Sequence, residues 1–313
     1  MARMSQERLV RLQLVVILVA LAALVPSTFA AYYSVGGTIS VVSRAHQKPF
    51  TFPNGGRTLF PAYKFVALYG TPGVPVLGVL GEQDAQASVQ RVKQLAEAYQ
   101  PLVHQHILPT LEIISTVASA TPTDGDDYSY PIPVDTLKAW AETARDAGVY
   151  VVLDLQPGRS SFLQQAQQFT EVLEEPNVGL ALDPEWRLKP NEVPLIQIGS
   201  VDISEVNQTA AWLATLTNQH KLPQKLFLLH QFRLDMLPDR SQLDTAHPEL
   251  AYAIQMDGQG SQDGKMDTWH TITADPPANV RFGWKNFVQK DTTLRSPEDT
   301  AKLSPEPWYI SYQ

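Results

Sequence analysis

Two carboxylates, Asp183 and Glu185, stand two residues apart at the end of a short apolar run, and Trp186 follows directly behind them. Side chains two apart on a β-strand point to the same face. The sequence therefore predicts that both acids project together, on the same side as Gly179 and Ala181. Glu185 is the candidate general acid, and Asp183 is the neighbour expected to raise its pKa by like-charge repulsion.

Acids, amides and aromatic rings also end several other apolar runs, and Asp257 is the third catalytic candidate, as nucleophile or base. Asp154 and Glu112 are alternatives for that role. Aromatic faces stack on sugar rings, while carboxylates and amides bind hydroxyl groups, so this composition favours a carbohydrate site. The candidate substrate-binding residues are Asp154, Gln156, Glu112, His230, Gln231, Gln259, Trp186, Trp284, Lys285, Tyr69 and Tyr312.

These candidates need a fold that gathers strand ends, and the hydrophobic pattern supplies one. Apolar runs with strand character alternate with segments of helical periodicity from residue 61 to residue 313, so the sequence predicts an α/β fold, a (β/α)8 TIM-type barrel. The chain ends on its eighth strand, and the eighth helix is expected to be missing. The predicted strands cover 64–70, 107–117, 149–155, 177–186, 225–231, 250–257, 280–285 and 308–312, and the predicted helices 84–102, 134–147, 160–175, 204–220, part of 235–246, 265–273 and 296–302.

The first 30 residues have the composition of a targeting segment. Arg3, Arg8 and Arg11 precede an apolar run over residues 12–25, and small residues before Ala30 provide a cleavage site. Residues 1–30 are therefore expected to be a signal peptide or an N-terminal membrane anchor. Both alternatives place the protein outside the cytoplasm, secreted or attached to the membrane. Residues 31–60 are expected to be a linker or an N-terminal cap that covers the seam of the barrel.

Composition excludes several classes of function. With 44% hydrophobic and 18% charged residues the chain is globular, and its net charge of -8 disfavours nucleic acid as a partner. There are no cysteines, so disulfides and thiolate metal sites are excluded. No cofactor and no metal are predicted. A metal-dependent isomerase or hydrolase built on His230, Asp183, Glu185 and Asp257 is the less favoured alternative, because His230 has no second histidine at ligand spacing.

The segment that contains Gly179, Asp183 and Glu185 resembles the fourth-strand motif of chitinase-type glycosidases, with Val178 and Ala181 in place of the earlier aspartates. Met256 and Asp257 are similar to the sixth-strand segment of the same family. Residues 60–313 as a whole resemble an uncharacterised family of exported bacterial barrel proteins of glycosidase type.

The resemblance implies a barrel fold and an exported protein, and the favoured hypothesis is a glycoside hydrolase-like protein that acts on a cell-envelope or environmental polysaccharide. A non-catalytic surface barrel that binds a glycan or a protein is the alternative. If the acids are structural instead, Asp183 and Glu185 are expected in salt bridges with Arg187 or Arg233, and Glu112 with Lys285.

Overall fold

Eight parallel strands close into a barrel in the computed structural model, which describes residues 51–52, 55–123 and 125–313. The first and last strands pair with each other, and a ninth, short strand is antiparallel to the end of the second. The predicted (β/α)8 barrel is therefore confirmed. The strands are β1 (Tyr63–Gly70), β2 (His106–Ala118), β3 (Ser129–Pro131), β4 (Tyr150–Leu155), β5 (Val178–Leu182), β6 (Lys225–Gln231), β7 (Leu250–Met256), β8 (Val280–Asn286) and β9 (Tyr309–Tyr312).

Helices alternate with the barrel strands as the apolar periodicity predicts. The predicted helix over 160–175 divides at Phe169, whose backbone leaves the helical region. The helix expected within 235–246 is replaced by two short 3-10 turns. The helices are α1 (Ala85–Tyr99), α2 (Val134–Asp146), α3 (Phe162–Gln168), α4 (Thr170–Leu173), α5 (Ile203–Gln219), α6 (Gln262–Thr273) and α7 (Pro297–Ala301).

The fourth barrel strand, β5, is shorter than predicted. It ends at Leu182, and Asp183 caps a 3-10 turn over Pro184–Trp186 by accepting a hydrogen bond from the backbone N–H of Glu185. Proline has no N–H to donate to the sheet and favours the start of a helical turn, which explains the early end of the strand. Strand alternation therefore does not reach Glu185, whose position is set by the turn.

Strand alternation divides the barrel into an inner and an outer set of side chains. The lower interior is apolar, with Phe65, Tyr150 and Leu228 at 0% exposure. Glycine is required at Gly179 because a Cβ there would lie 2.7 Å from the carbonyl oxygen of Leu226 and 3.0 Å from the hydroxyl of Tyr150. The outward-facing aliphatics of the strands pack against the helices in a second, larger cluster.

The amino-terminal end of the barrel is closed by the chain that precedes β1. Phe52 and Leu59 are buried in the inner cluster, and the backbone N–H of Leu59 donates to the side-chain oxygen of Gln224 at 2.7 Å. Both residues belong to the predicted linker or cap and lie beneath the barrel, and residues 31–50, 53 and 54 of that segment lie outside the described residues. No helix follows β9 in the described chain, where β9 pairs with both β8 and β1.

The described part of the chain contains no helix long and apolar enough to cross a membrane. The signal peptide or anchor predicted for residues 1–30 lies outside the described residues.

A buried ion pair fastens the loop after β8 to α6. Lys265 and Asp291 pair with side chains that are each 1% exposed. Lys265 Nζ also donates to the carbonyl oxygen of Lys285 at 2.8 Å, and the backbone N–H of Phe287 donates to Asp291 at 3.0 Å. The pair therefore fixes the backbone on both sides of the end of β8.

Replacing Asp291 with alanine leaves the Lys265 ammonium buried without its partner. We expect Asp291→Ala to lower the free energy of unfolding by about 3–5 kcal/mol, measured by chemical denaturation. The matched control is Glu171→Ala, which breaks the surface pair of Glu171 with Lys138 and is expected to cost less than about 1 kcal/mol. Equal losses in the two variants would contradict the prediction.

Candidate active site

A cleft of about 340 Å³ opens at the carboxyl-terminal ends of the barrel strands. Asp183 follows β5, Asp257 follows β7 and Lys285 lies in β8, and all three line the cleft. Glu185 and Gln156 line it as well. A TIM barrel carries its functional groups at this face, so the cleft is the candidate site.

His230 lies at the centre of a charged cluster directly beneath the cleft. Its Nδ1 is 2.6 Å from Oδ2 of Asp257, and its Nε2 is 2.8 Å from Oε1 of Glu112. The hydroxyl of Tyr309 donates to the other oxygen of Glu112 at 3.0 Å. Glu112 and His230 are 0% exposed. Because both ring nitrogens face carboxylates, the geometry favours the doubly protonated imidazolium.

The cluster shifts the pKa values of its members in opposite directions. Burial lowers the pKa of His230, but Asp154, Glu112 and Asp257 outweigh burial and raise it well above its ordinary value. Burial raises the pKa of Asp257, but Lys285 and His230 outweigh it and hold the pKa below its ordinary value. Lys285 Nζ lies 3.3 Å from Asp257. Asp257 is therefore kept ionised at the base of the cleft.

Tyr69 joins a second carboxylate to this cluster. Its hydroxyl donates to Oδ2 of Asp154 at 2.8 Å, and Lys285 Nζ lies 3.4 Å from the centre of its ring, in a cation–π contact. Gln156 Nε2 approaches the same hydroxyl at 3.4 Å. Burial and the charge on Glu112 raise the pKa of Asp154 to about 6, although His230 and Lys285 oppose the change.

Glu185 is held in a different electrostatic state from Asp257. Burial first, and then the charge on Asp257, raise the pKa of Glu185 to about 7, against the opposing charges of Lys285 and Lys290. Asp257 is thus a like-charge neighbour of Glu185 that the sequence did not predict, and the charge on Glu185 in turn contributes to the raised pKa of Asp183. Burial also raises the pKa of Asp183 well above its ordinary value.

The structural salt bridges that were the alternative for these acids are not formed among the described residues. Arg187 pairs with Glu205 at 3.0 Å, and Arg233 pairs with Asp235. Glu112 pairs with His230 in place of Lys285. Asp183 and Glu185 instead face the cleft.

Most of the sequence-predicted site residues lie in the cleft or directly beneath it. Those that line the cleft are Asp183, Glu185, Trp186, Gln156, Asp257, Gln259 and Lys285. Those in the buried cluster are Glu112, Asp154, His230 and Tyr69. Their catalytic and substrate-binding roles remain proposals.

Three of the predicted site residues lie on the outer face of the barrel, so their expected position at the mouth is corrected. Tyr312 contacts the hydroxyl of Tyr99 on α1 at 2.6 Å, and Trp284 packs against Trp269 on α6. Gln231 accepts a hydrogen bond from Arg240. Adjacent residues on a strand point to opposite faces. Since His230, Lys285 and Ser311 face the barrel interior, their neighbours Gln231, Trp284 and Tyr312 must face outward.

Several residues of the site were not predicted, among them one in the buried cluster and three aromatic or basic residues of the cleft. Tyr309 faces inward in phase with Ser311, and strand alternation would have identified it. Lys290, Phe287 and Phe232 line the cleft from loops, where the sequence has no periodicity that would identify them.

Asp183, His230 and Asp257 each offer a ligand atom within 4.8 Å of one another, which is the spacing of a metal site. A histidine ligand must present a free nitrogen lone pair to the metal. Both nitrogens of His230 already face the carboxylate oxygens of Asp257 and Glu112. This donor set does not fit a metal ion.

No protein-family model matches the chain, and no curated protein is a significant match in sequence. Among solved structures, a xylanase and α-amylase inhibitor protein in complex with trehalose is similar with a TM-score of 0.45 and 11% identity, over 80% of this chain and 93% of that chain. A protein from Salmonella typhimurium assigned as an α-amylase has a TM-score of 0.26 and 13% identity, over 79% of this chain and 37% of that chain. The barrel assignment rests on the strand order described above.

We expect His230 to remain protonated on both ring nitrogens at pH values well above about 6.5, its ordinary pKa. Nitrogen NMR of histidine-labelled protein measures this directly. Glu112→Gln removes one of the charges that raise the pKa, so it should move the titration of His230 to lower pH. A ring with a single protonated nitrogen between pH 6.5 and pH 8 would contradict the proposed charge state.

The same shift links stability to pH. The pKa of His230 is higher in the folded protein than in the unfolded chain, so the folded state binds the proton more tightly. The resulting stabilisation is complete below about pH 6.5 and is lost as the pH rises through the folded pKa. Denaturation of wild-type and Glu112→Gln protein over this range should show a weaker contribution from His230 in the variant.

Proposed function

We propose that the chain is an exported glycoside hydrolase-like protein that acts on a cell-envelope or environmental polysaccharide by carboxylate acid/base chemistry. The observation that carries the proposal is the placement of Glu185 and Asp257 in one open cleft with pKa values displaced in opposite directions. Cleavage of a glycosidic bond by this chemistry requires one protonated carboxyl group as general acid and one ionised carboxylate as nucleophile or base.

Glu185 has the properties of the general acid. Its pKa of about 7 keeps a large fraction of the group protonated near neutral pH, ready to protonate the leaving-group oxygen. The capped turn over Pro184–Trp186 fixes its backbone at the wall of the cleft. Trp186 in the same turn offers an aromatic face to a sugar ring.

Asp257 has the properties of the partner carboxylate. Lys285 and His230 hold it ionised, so that it can attack the anomeric carbon or activate a water molecule. Glu112 contacts the other ring nitrogen of His230. The hydrogen-bonded series from Glu112 through His230 to Asp257 would orient the carboxylate of Asp257. Lys285 is the direct counter-charge.

Export is proposed from residues 1–30 alone, whose basic and apolar segments have the composition of a signal peptide or anchor. Cell fractionation and amino-terminal sequencing of the native protein test it. A mature chain that begins at residue 31 supports cleavage, and an intact amino terminus in the membrane fraction supports an anchor. Recovery of the full-length chain from the cytoplasm would contradict export.

Glu185→Gln tests the proposed acid. We expect hydrolysis of polysaccharides with unactivated leaving groups to fall by about 10²–10⁴-fold, because glutamine cannot donate the proton. Aryl glycosides with good leaving groups should lose much less. The measurement is the release of reducing ends from a panel of bacterial and plant polysaccharides, together with chromogenic aryl glycosides.

Glu171→Gln, an exposed acid on α4, is the matched control and should keep full activity. Binding of the same glycans by wild-type protein without any turnover would contradict the hydrolase and leave the non-catalytic glycan-binding alternative. Activity that disappears on removal of divalent metal by a chelator would contradict a mechanism based on carboxylates alone.

The pH dependence of kcat/KM reports both groups. Activity should fall as the pH rises through about 7, because Glu185 loses its proton, and should fall in acid as Asp257 gains one. Lys285→Met removes a charge that lowers the pKa of both acids, so both limbs of the profile should move to higher pH. Lys290 interacts more strongly with the charge of Glu185 than with that of Asp257, so Lys290→Met should chiefly move the alkaline limb. Unchanged limbs in both variants would contradict the assignment.

A further inference from the structure

The exposed large hydrophobic side chains of the described chain share one location. They are Val76, Ile196, Leu234, Val288 and Leu294, and they are 41% to 74% exposed. Each belongs to a loop that follows the carboxyl-terminal end of a barrel strand, which is the face that carries the cleft. Exposed single hydrophobics are ordinary, but their confinement to one rim marks an interaction site for an apolar partner.

The rim continues into the cleft. Val76 itself lines the cleft, and Ile196 follows Pro194 and Leu195, which also line it. Val288 follows the cleft residue Phe287. Exposed apolar side chains of the rim therefore line the cleft or adjoin residues that line it at these three loops.

The cleft has two chemically different walls. Leu77 follows β1, and Ile114 and Val117 lie in β2. In the order of strands around the barrel, β1 and β2 lie opposite β6 and β7, which carry His230 and lead to Asp257. A mainly aliphatic wall, which also includes Ser119 after β2, therefore faces a charged one. Hydroxyl-rich glycans are bound by polar groups and aromatic platforms, and a wall of branched aliphatic side chains offers them neither.

We infer that the cleft also accepts a glycolipid, whose sugar lies at the carboxylates and whose hydrocarbon chain follows the aliphatic wall to the rim. The sugar half of this inference rests on the proposed function, and the hydrocarbon half rests on the wall and the rim. Burying a hydrocarbon chain against these residues removes apolar surface from water on both partners. The rim then covers the part of the chain that extends beyond the cleft.

The test is the binding of methyl, hexyl and octyl glucosides to Glu185→Gln protein, in which turnover is expected to be slowed by about 10²–10⁴-fold, by calorimetry below the micelle concentration. We expect the Kd to fall by about threefold to fourfold for each methylene until the wall is covered, and by at least about tenfold from methyl to octyl. Equal Kd values for the methyl and octyl compounds would overturn the inference.

Three variants test where the hydrocarbon chain of the ligand binds. Val117→Thr and Leu77→Asn place a polar group in the wall, and Ile196→Ser does so at the rim, where the side chain is too exposed to be needed for folding. Each variant should reduce the ratio of the Kd for methyl glucoside to the Kd for octyl glucoside by about threefold or more. Leu222→Ser, in the loop before β6 at the opposite end of the barrel, should leave the ratio unchanged. If the three wall and rim variants left this Kd ratio unchanged, as the control does, the hydrocarbon chain would lie elsewhere and the inference would be overturned.

Hydrolysis is measured separately with wild-type protein, so the two proposals fail independently. Chain-length dependence without any hydrolysis would overturn the hydrolase and support the apolar site. Hydrolysis of glycans without a lipid, combined with equal affinity for methyl and octyl glucosides, would support the hydrolase and overturn the apolar site.

Discussion

The upper half of the barrel depends on one interaction, the buried contact of His230 with Asp257 and Glu112. Strands β2 and β6 and the end of β7 each supply one member, and the distances of 2.6 Å and 2.8 Å leave no space for water between them. Charged groups buried to this extent are stable only together, because each compensates the desolvation of the others. A shift of one residue in the register of any of these strands would turn its charged side chain to the outer face and leave the others unpaired. The cluster therefore specifies the strand register as well as the charge pattern of the cleft.

The surroundings of Asp257 and Glu185 give these two carboxyl groups different pKa values. Asp257 and Glu185 line the same cleft, yet Lys285 and His230 stabilise the ionised form of Asp257, while burial beside that negative charge stabilises the neutral form of Glu185. The difference comes from which side chain is in contact with a cation, and Lys265 and Asp291 help to fix the backbone that carries Lys285. Stability and the proposed chemistry thus use adjacent parts of one network.

The sequence was sufficient for the barrel and for most of the site because both follow from periodicity. Eight strands separated by helical segments predicted the closure, and the position of Asp154, Asp183, His230 and Lys285 at the ends of strands predicted that they belong to the candidate site. Strand alternation would have excluded Gln231, Trp284 and Tyr312, each of which is adjacent to an inward-facing residue, and would have included Tyr309. Glu185 and Lys290 are different, because a capped turn and an irregular loop place them, and neither has a repeating pattern. The sequence also could not show which charges shift the pKa of Glu185 most, because the largest charge effect comes from Asp257, which follows a strand that is not adjacent to β5.

The apolar layer below the cluster has a consequence for how protons move. Phe52 and Leu59 close the amino-terminal end, and Phe65 and Tyr150 fill the interior above them, so within the described residues an apolar layer separates the cluster from solvent on that side. Protons therefore exchange between His230 and bulk water through the cleft. A ligand that fills the cleft closes this route, and the cluster then keeps the number of protons it held when the ligand entered. Under these conditions the protonation of the site is decided at the moment of binding and not during the steps that follow.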